Sequence, residues 1–241
     1  MCETCCSNVS RRTLMAGGLG LLAAASLPLT AKSQAQAQAQ AQANAPSDTP
    51  DAALDKLMQG NERYIAGQMR ERDFSAGRAA RAESQAPFAA ILGCADSRVA
   101  PELAFDQGPG SLFVVRVAGN FVTPDGLASL EYGAAVLGTK VIMVLGHSNC
   151  GAVNATVAAL QKGNDLPGHI GDLVRAMKPG IEPVLQKKEE DLRHQAVIAN
   201  VRANVRQLQE SKLILADMVS SKKLRVVGGV YDLASGKVEL V

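Results

Sequence analysis

The sequence predicts an α/β protein: a mainly parallel central sheet of about four strands plus an antiparallel edge strand, with helices on both faces. Three observations carry this. Short apolar runs rich in Val, Ile and Leu, at Phe88–Gly93, Leu112–Val117, Val141–Gly146 and Arg225–Val230, are bounded by turn residues and read as strands buried on both sides. Helical patterns fill the intervals between them, the alternation that builds βαβ units. The closing stretch from Val230 to Leu240 reads as a hairpin that adds the edge strand.

Taken in order, Leu54, Leu57, Met58 and Ile65 fall near helical spacing within Asp51–Gly67 and predict an amphipathic entry helix. Arg70 to Glu83 is charged and predicts an irregular or helical surface arm. Helices are expected at Gly126–Leu137 and Gly151–Leu160, and a long helical stretch from Glu182 to about Ser220. There is no internal repeat and no composition shift after residue 46, so residues 46–241 read as a single domain.

Residues 1–45 read differently. Ser10-Arg11-Arg12 precedes a stretch without charge, Leu14 to Ala31, which is the pattern of a secretory signal. The paired arginines, with Gly17, Gly18 and Gly20 diluting the apolar run, resemble the twin-arginine type and predict export to the periplasm. The Ala-Gln repeat from Gln34 to Ala43 has no face to pack and offers small-residue cleavage choices, ending at Ala43-Asn44-Ala45. The glycines and Pro28 weigh against a retained membrane anchor, so no stable span is expected once the signal is cut.

That cut changes the arithmetic. The chain of 241 residues has 25 Lys+Arg against 23 Asp+Glu, a charge of +2. Arg11, Arg12 and Lys32 against Glu3 account for all of it, leaving 22 basic and 22 acidic residues in the body. A neutral body with 3% aromatics and no Trp lacks the basic face and stacking rings of a nucleic-acid binder. Cys2, Cys5 and Cys6 fall in the leader, so the body keeps Cys94 and Cys150. In an exported protein this pair suggests a disulfide by default. Twin-arginine export carries folded proteins, so both thiols holding a metal is the other reading.

Cys94-Ala95-Asp96-Ser97-Arg98 follows the first predicted strand, and His147-Ser148-Asn149-Cys150-Gly151 follows the third. Ligands collect outside the carboxyl ends of strands in an open parallel sheet, so the two motifs can converge although 53 residues separate Cys94 from His147. Two thiols and an imidazole suit a tetrahedral Zn2+. Cys150 also stands where a helix begins, which favours its thiolate. Singly, Cys94 would pass for a small apolar residue and Asp96/Arg98 for a surface pair. Together they use both body cysteines and one of three histidines, all at strand ends.

These motifs resemble the β-class carbonic anhydrases. The likeness extends through Gly60-Asn61-x-Arg63-Tyr64, Phe113-Val114-Val115-Arg116, Leu130-Glu131-Tyr132 and Gly229-Val230-Tyr231-Asp232, covering nearly all of residues 51–241. It implies Zn2+ on Cys94, His147 and Cys150, an Asp96–Arg98 dyad, and reversible hydration of CO2 to bicarbonate. Gln85 matches a substrate-pocket glutamine of the plant-like members. Phe113 and Tyr132 match pocket-wall positions which in that group come from the neighbouring subunit, implying a homodimer or homotetramer. The sequence departs from the family at Arg116-Val117-Ala118-Gly119-Asn120, where Arg-Asn-x-Ala-Asn is usual, and lacks the tryptophan beside which some bacterial members bind regulatory bicarbonate.

Zinc brings the pKa of bound water from 15.7 to about 7. Two thiolates cancel the metal's formal charge, which gives the surroundings more weight. Asp96 has two possible places: on the zinc, closing the site, or on Arg98, leaving it open. The plant-like Gln85 favours Arg98 near neutral pH. Gln85 would polarise a substrate oxygen, and His169 and His194 are candidate proton shuttles, with a plain surface role the simpler reading of each. Two further functions fit the motifs. The same hydroxide would hydrolyse carbonyl sulfide or carbon disulfide, and a closed or disulfide-bonded site would make a non-catalytic zinc or redox protein.

Overall fold

The computed structural model describes residues 49–186 and 191–241. The leader read at residues 1–45, with Cys2, Cys5 and Cys6, lies outside the described residues. Thr49 opens helix α1 (Pro50–Ile65): its Oγ1 accepts from the Ala52 amide at 3.2 Å, and Pro50 occupies the first turn, where an N–H would have no helical partner. Short α2 (Arg78–Glu83) buries no residue, as the charged arm of the sequence suggests.

Five strands, β1 (Ala89–Gly93), β2 (Leu112–Arg116), β3 (Val141–His147), β4 (Arg225–Tyr231) and β5 (Val238–Leu240), form one sheet in the order β2-β1-β3-β4-β5. The first four run parallel and β5 pairs antiparallel to β4, which is the predicted fold class. The connections hold α3 (Pro101–Ala104), α4 (Pro124–Ala135), α5 (Gly151–Lys162), α6 (Ile170–Leu185), α7 (Leu192–Gln209) and α8 (Leu215–Ser220). Alternate strand residues face opposite layers. Ala90, Leu92, Ile142 and Val144 pack under α4 to α8, while Ala89, Ile91, Val141, Met143 and Leu145 pack under α1 and α3.

Three expectations are corrected. The long helical stretch from Glu182 is three pieces: Glu182 belongs to α6, which begins at Ile170, and α7 and α8 follow separately. Pro179 and Pro183 inside α6 hide its periodicity from a sequence reading, because proline removes a helical donor. Leu112 to Val115 were expected to be buried on both sides and are only half-buried, because β2 is the sheet's edge. The entry helix buries the expected Leu54 and Leu57, together with Ala53, but leaves Ile65 exposed.

Side-chain amides fasten the ends of the fold. Buried Asn61 of α1 donates to the Ala104 carbonyl at 2.9 Å and the Gly236 carbonyl at 2.8 Å, and accepts from the Val238 amide at 2.8 Å. One residue earlier, α1 lies so close to the turn after α3 that a Cβ on Gly60 would sit 1.9 Å from the Phe105 carbonyl oxygen. That turn is locked by Asp106, whose buried carboxylate takes the side chains of Arg63 and Arg72 and the Arg70 amide.

Candidate metal centre

β1 ends at Gly93 opposite Leu145, so the chain leaves β1 beside the last turn of β3's ladder. Cys94 is the first residue out. The loop it opens, running to Val99, is gripped by β2: the Arg116 guanidinium donates to the carbonyls of Cys94 (2.9 Å), Asp96 (2.6 Å) and Val99 (2.9 Å). The Ala95 amide adds a bond to the Val117 carbonyl at 3.3 Å. The Cys94 sulfur accepts from the Gly119 amide at 3.3 Å.

His147 ends β3 rather than following it, and it is fully buried. Its Nδ1 lies 3.0 Å from the Ser148 carbonyl oxygen, which can only accept, so Nδ1 carries the hydrogen. Nε2 is left as a lone pair, buried and without a hydrogen-bond partner. Asn149, in the left-handed region at φ 53°, turns the chain so that Cys150 caps α5. There the Cys150 sulfur faces the Val153 and Ala152 amides, the electropositive end of the helix.

Cys94 Sγ, His147 Nε2 or Nδ1 and Cys150 Sγ all lie within 4.8 Å of one another, and all three residues are buried. The thiols are free, with the two sulfurs 4.0 Å apart, so the disulfide reading is not the arrangement present. The partnership with Cys150 draws the Cys94 thiol well below its ordinary value, while the same partnership and burial push Cys150 up. A buried imidazole lone pair with no protein partner, aimed among two thiols, is the donor set of a soft metal ion, and an unpaired buried polar atom is otherwise costly. The residues present fit zinc.

Asp96 approaches the cluster but belongs to Arg98. Its Oδ1 accepts from the Arg98 amide and Nε, both at 2.9 Å, and its Oδ2 from Nη2 at 2.7 Å. Those hydrogen bonds hold the carboxyl far below the usual carboxylate range, so it is ionised at every working pH. Oδ2 also lies 3.7 Å from His147 Nε2, at the edge of the cluster.

The remaining predicted residues stand elsewhere in the chain. Gln85 is exposed beyond α2 and lines a surface hollow with Arg81, Ser84, Pro109 and Gly110, none of them from the cluster. Phe113 of edge strand β2 meets Tyr132 of α4 ring to ring at 6.4 Å, with Tyr132 half exposed. His169 is fully open to solvent beside Asp172. His194 lines a small hollow with Ser148, Asp232 and Glu239. Sequence reasoning gave no role to Arg116, Gly119 or Asn200, although an arginine at a strand end and an irregular Gly-Asn pair were visible signals.

Fold and site together define a class: an open α/β protein with a two-cysteine, one-histidine cluster that could hold a metal ion at the carboxyl ends of adjacent parallel strands. The family model described as carbonic anhydrase matches residues 89–238. The carbonic anhydrase of Mycolicibacterium smegmatis is 40% identical over 197 residues, spanning 81% of this chain and 95% of that protein. Carbonic anhydrase 2 of Mycobacterium tuberculosis is 38% identical over 201 residues, spanning 81% and 94%. Among solved structures, the Coccomyxa β-carbonic anhydrase in complex with acetazolamide superposes with a TM-score of 0.62 at 32% identity, covering 69% of this chain and 77% of that one. The chain belongs to the carbonic anhydrase family, in its β class.

Proposed function

We propose that this protein is a zinc carbonic anhydrase interconverting CO2 and bicarbonate, with Cys94, His147 and Cys150 as metal ligands and Asp96–Arg98 as a dyad beside them. One observation carries the reading: both Asp96 oxygens are engaged by Arg98, which leaves a donor set of three, the number typical of catalytic rather than structural zinc sites. When bound, zinc supplies a Lewis acid that lowers the pKa of water from 15.7 to about 7. The chain's own residues supply direction. Ionised Asp96 can only accept, so Oδ2 orients whatever O–H faces it and fixes where that oxygen's lone pair points. Arg98 holds the acceptor still, tethered in turn to the Asn149 carbonyl at 3.4 Å. Arg116 fixes the loop that carries both Cys94 and Asp96.

Within one chain Gln85 lines a hollow apart from the cluster, Phe113 with Tyr132 against it stands level with Ala90, four residues before Cys94, and β2 is a half-exposed apolar edge. We infer a homodimer or homotetramer in which these residues complete the pocket of a neighbouring copy. Among the described residues no helix is long and apolar enough to cross a membrane. Arg11-Arg12 supports periplasmic export of residues 46–241 after cleavage, and replacing both arginines by lysine should hold the chain in the cytoplasm.

The deciding experiment is stopped-flow CO2 hydration by purified residues 46–241 with zinc quantified. We expect one zinc per chain and rapid hydration. A full complement of zinc without hydration would refute the catalytic reading in favour of a structural site.

A further inference from the structure

The sulfur of Cys94 accepts a backbone amide that is itself held from the far side of the core. Gly119 has φ +89°, a conformation unfavourable to other residues, and its backbone lies so close to α6 that a Cβ would meet Met177 Sδ at 2.5 Å. Asn200 of α7, 1% exposed, donates Nδ2 to the Gly119 carbonyl at 2.8 Å. Asn204, one turn along, donates to the Asn200 backbone and side-chain oxygens at 2.8 and 3.2 Å. Its own Oδ1 accepts from the Val122 amide at 2.8 Å, so the two asparagines hold both ends of the 119–122 turn.

Such an arrangement fixes the peptide on the carbonyl side of Gly119 and, through it, the direction of the Gly119 N–H. Two buried side-chain amides in an apolar helix face cost desolvation, which is offset only when every bond is made. Nothing in the packing of α7 calls for polar residues there: their neighbours Ala196, Val197, Val201 and Leu208 form ordinary core. The bonds of the asparagines lead to the turn whose amide meets the Cys94 sulfur at 3.3 Å.

We propose that Asn200, braced by Asn204, is a positioning residue for the metal centre: it fixes the Gly119 turn, and the Gly119 N–H holds the Cys94 sulfur in place for the metal. The glycine that departs from the family's usual pattern is part of that device. The inference rests on Cys94 being a metal ligand as proposed above.

The test is Co2+ uptake by the metal-stripped full chain, read as the sulfur-to-cobalt charge-transfer band and as affinity in chelator competition. Asn200→Ala should weaken Co2+ binding about 10-fold or more, the usual effect of losing a partner that orients a ligand. It should also move the band to lower energy, because a sulfur that loses an N–H donor gives up its electrons more readily. Asn200→Ser, too short to reach the Gly119 carbonyl yet able to satisfy Asn204, should show the same shift and covers the case in which the alanine variant does not fold. Leu215→Ala, on α8 and fully buried, destabilises the core at a residue outside the 119–122 turn and the strand ends that carry the ligands, and should leave the band in place. An unmoved band in the Asn200 variants, or equal losses of affinity in Leu215→Ala, would overturn the proposal. Wild-type chain showing no sulfur-to-cobalt band at all would instead refute the ligand assignment, and the proposal with it.

Discussion

Asp96→Asn isolates the dyad with the least change of shape. The asparagine oxygen can keep the Oδ1 position, where the Arg98 amide and Nε both donate at 2.9 Å. Its NH2 then falls at the Oδ2 position, set against the Arg98 Nη2 donor at 2.7 Å and facing the cluster 3.7 Å from His147 Nε2. A donor replaces the carboxylate oxygen that looks into the site. Positioned proton acceptors contribute about 100- to 10,000-fold to rate, or about 3–5 kcal/mol of barrier. Folding stability should hardly change, because Arg98 is half exposed and solvent screens such pairs. Stopped-flow CO2 hydration, zinc content and melting temperature measured together separate these effects. A variant with full zinc and a rate within about 3-fold of wild type would show that Asp96 does not serve the reaction.

Other outcomes follow from the same structure. Gly60→Ala should gain about 1 kcal/mol of helix propensity but lose about 3 kcal/mol to the backbone oxygen 1.9 Å from the new Cβ, a net loss visible in urea melts. Asp106→Asn should cost about 3–5 kcal/mol by leaving Arg63 and Arg72 without their buried counter-charge. Burial alone would raise the Asp106 carboxyl, yet the Arg72 and Arg63 guanidiniums outweigh it and hold the folded value below that of an unfolded Asp, about 3.9. Its stabilisation is therefore complete above that pH and disappears as pH falls through the lower folded value, so acid unfolding of Asp106→Asn should show a shallower pH dependence there. Chelation should expose two more titratable thiols than the metal-loaded chain shows, and Cys94→Ser or Cys150→Ser should abolish stoichiometric zinc.

The sheet was legible because its strands are uninterrupted apolar runs, and parallel strands buried on both faces must be so. The meeting of Cys94, His147 and Cys150 was legible for a related reason: a cysteine or histidine at or just beyond the end of such a run comes to the carboxyl edge of the sheet. Three things were hidden. β2 has the composition of an inner strand, and only strand order, a long-range property, puts Leu112 to Val115 at the edge. The start of α6 at Ile170 was masked by Pro179 and Pro183, whose lost hydrogen bonds are compensated by packing of Met177 and Ile181 in the core. Asn200 and Asn204 look like breaks in an apolar helix face until the Gly119 carbonyl, 81 residues from Asn200, supplies the reason for them.

Asn61 joins α1 to the C-terminal hairpin, and Pro50 and Asp51 line the same hollow as Leu240 and Val241, with Asp51 paired to Arg225 at 2.6 Å. Arg225 opens β4, so this meeting point lies toward the amino ends of the parallel strands, while Cys94 and His147 sit at their carboxyl ends. The fold therefore brings the start of α1 and the end of β5 together on the side away from Cys94 and His147. Its order of elements can be rewired there: a circular permutant that links residue 241 to residue 49 and opens the chain in a surface loop keeps every strand pairing.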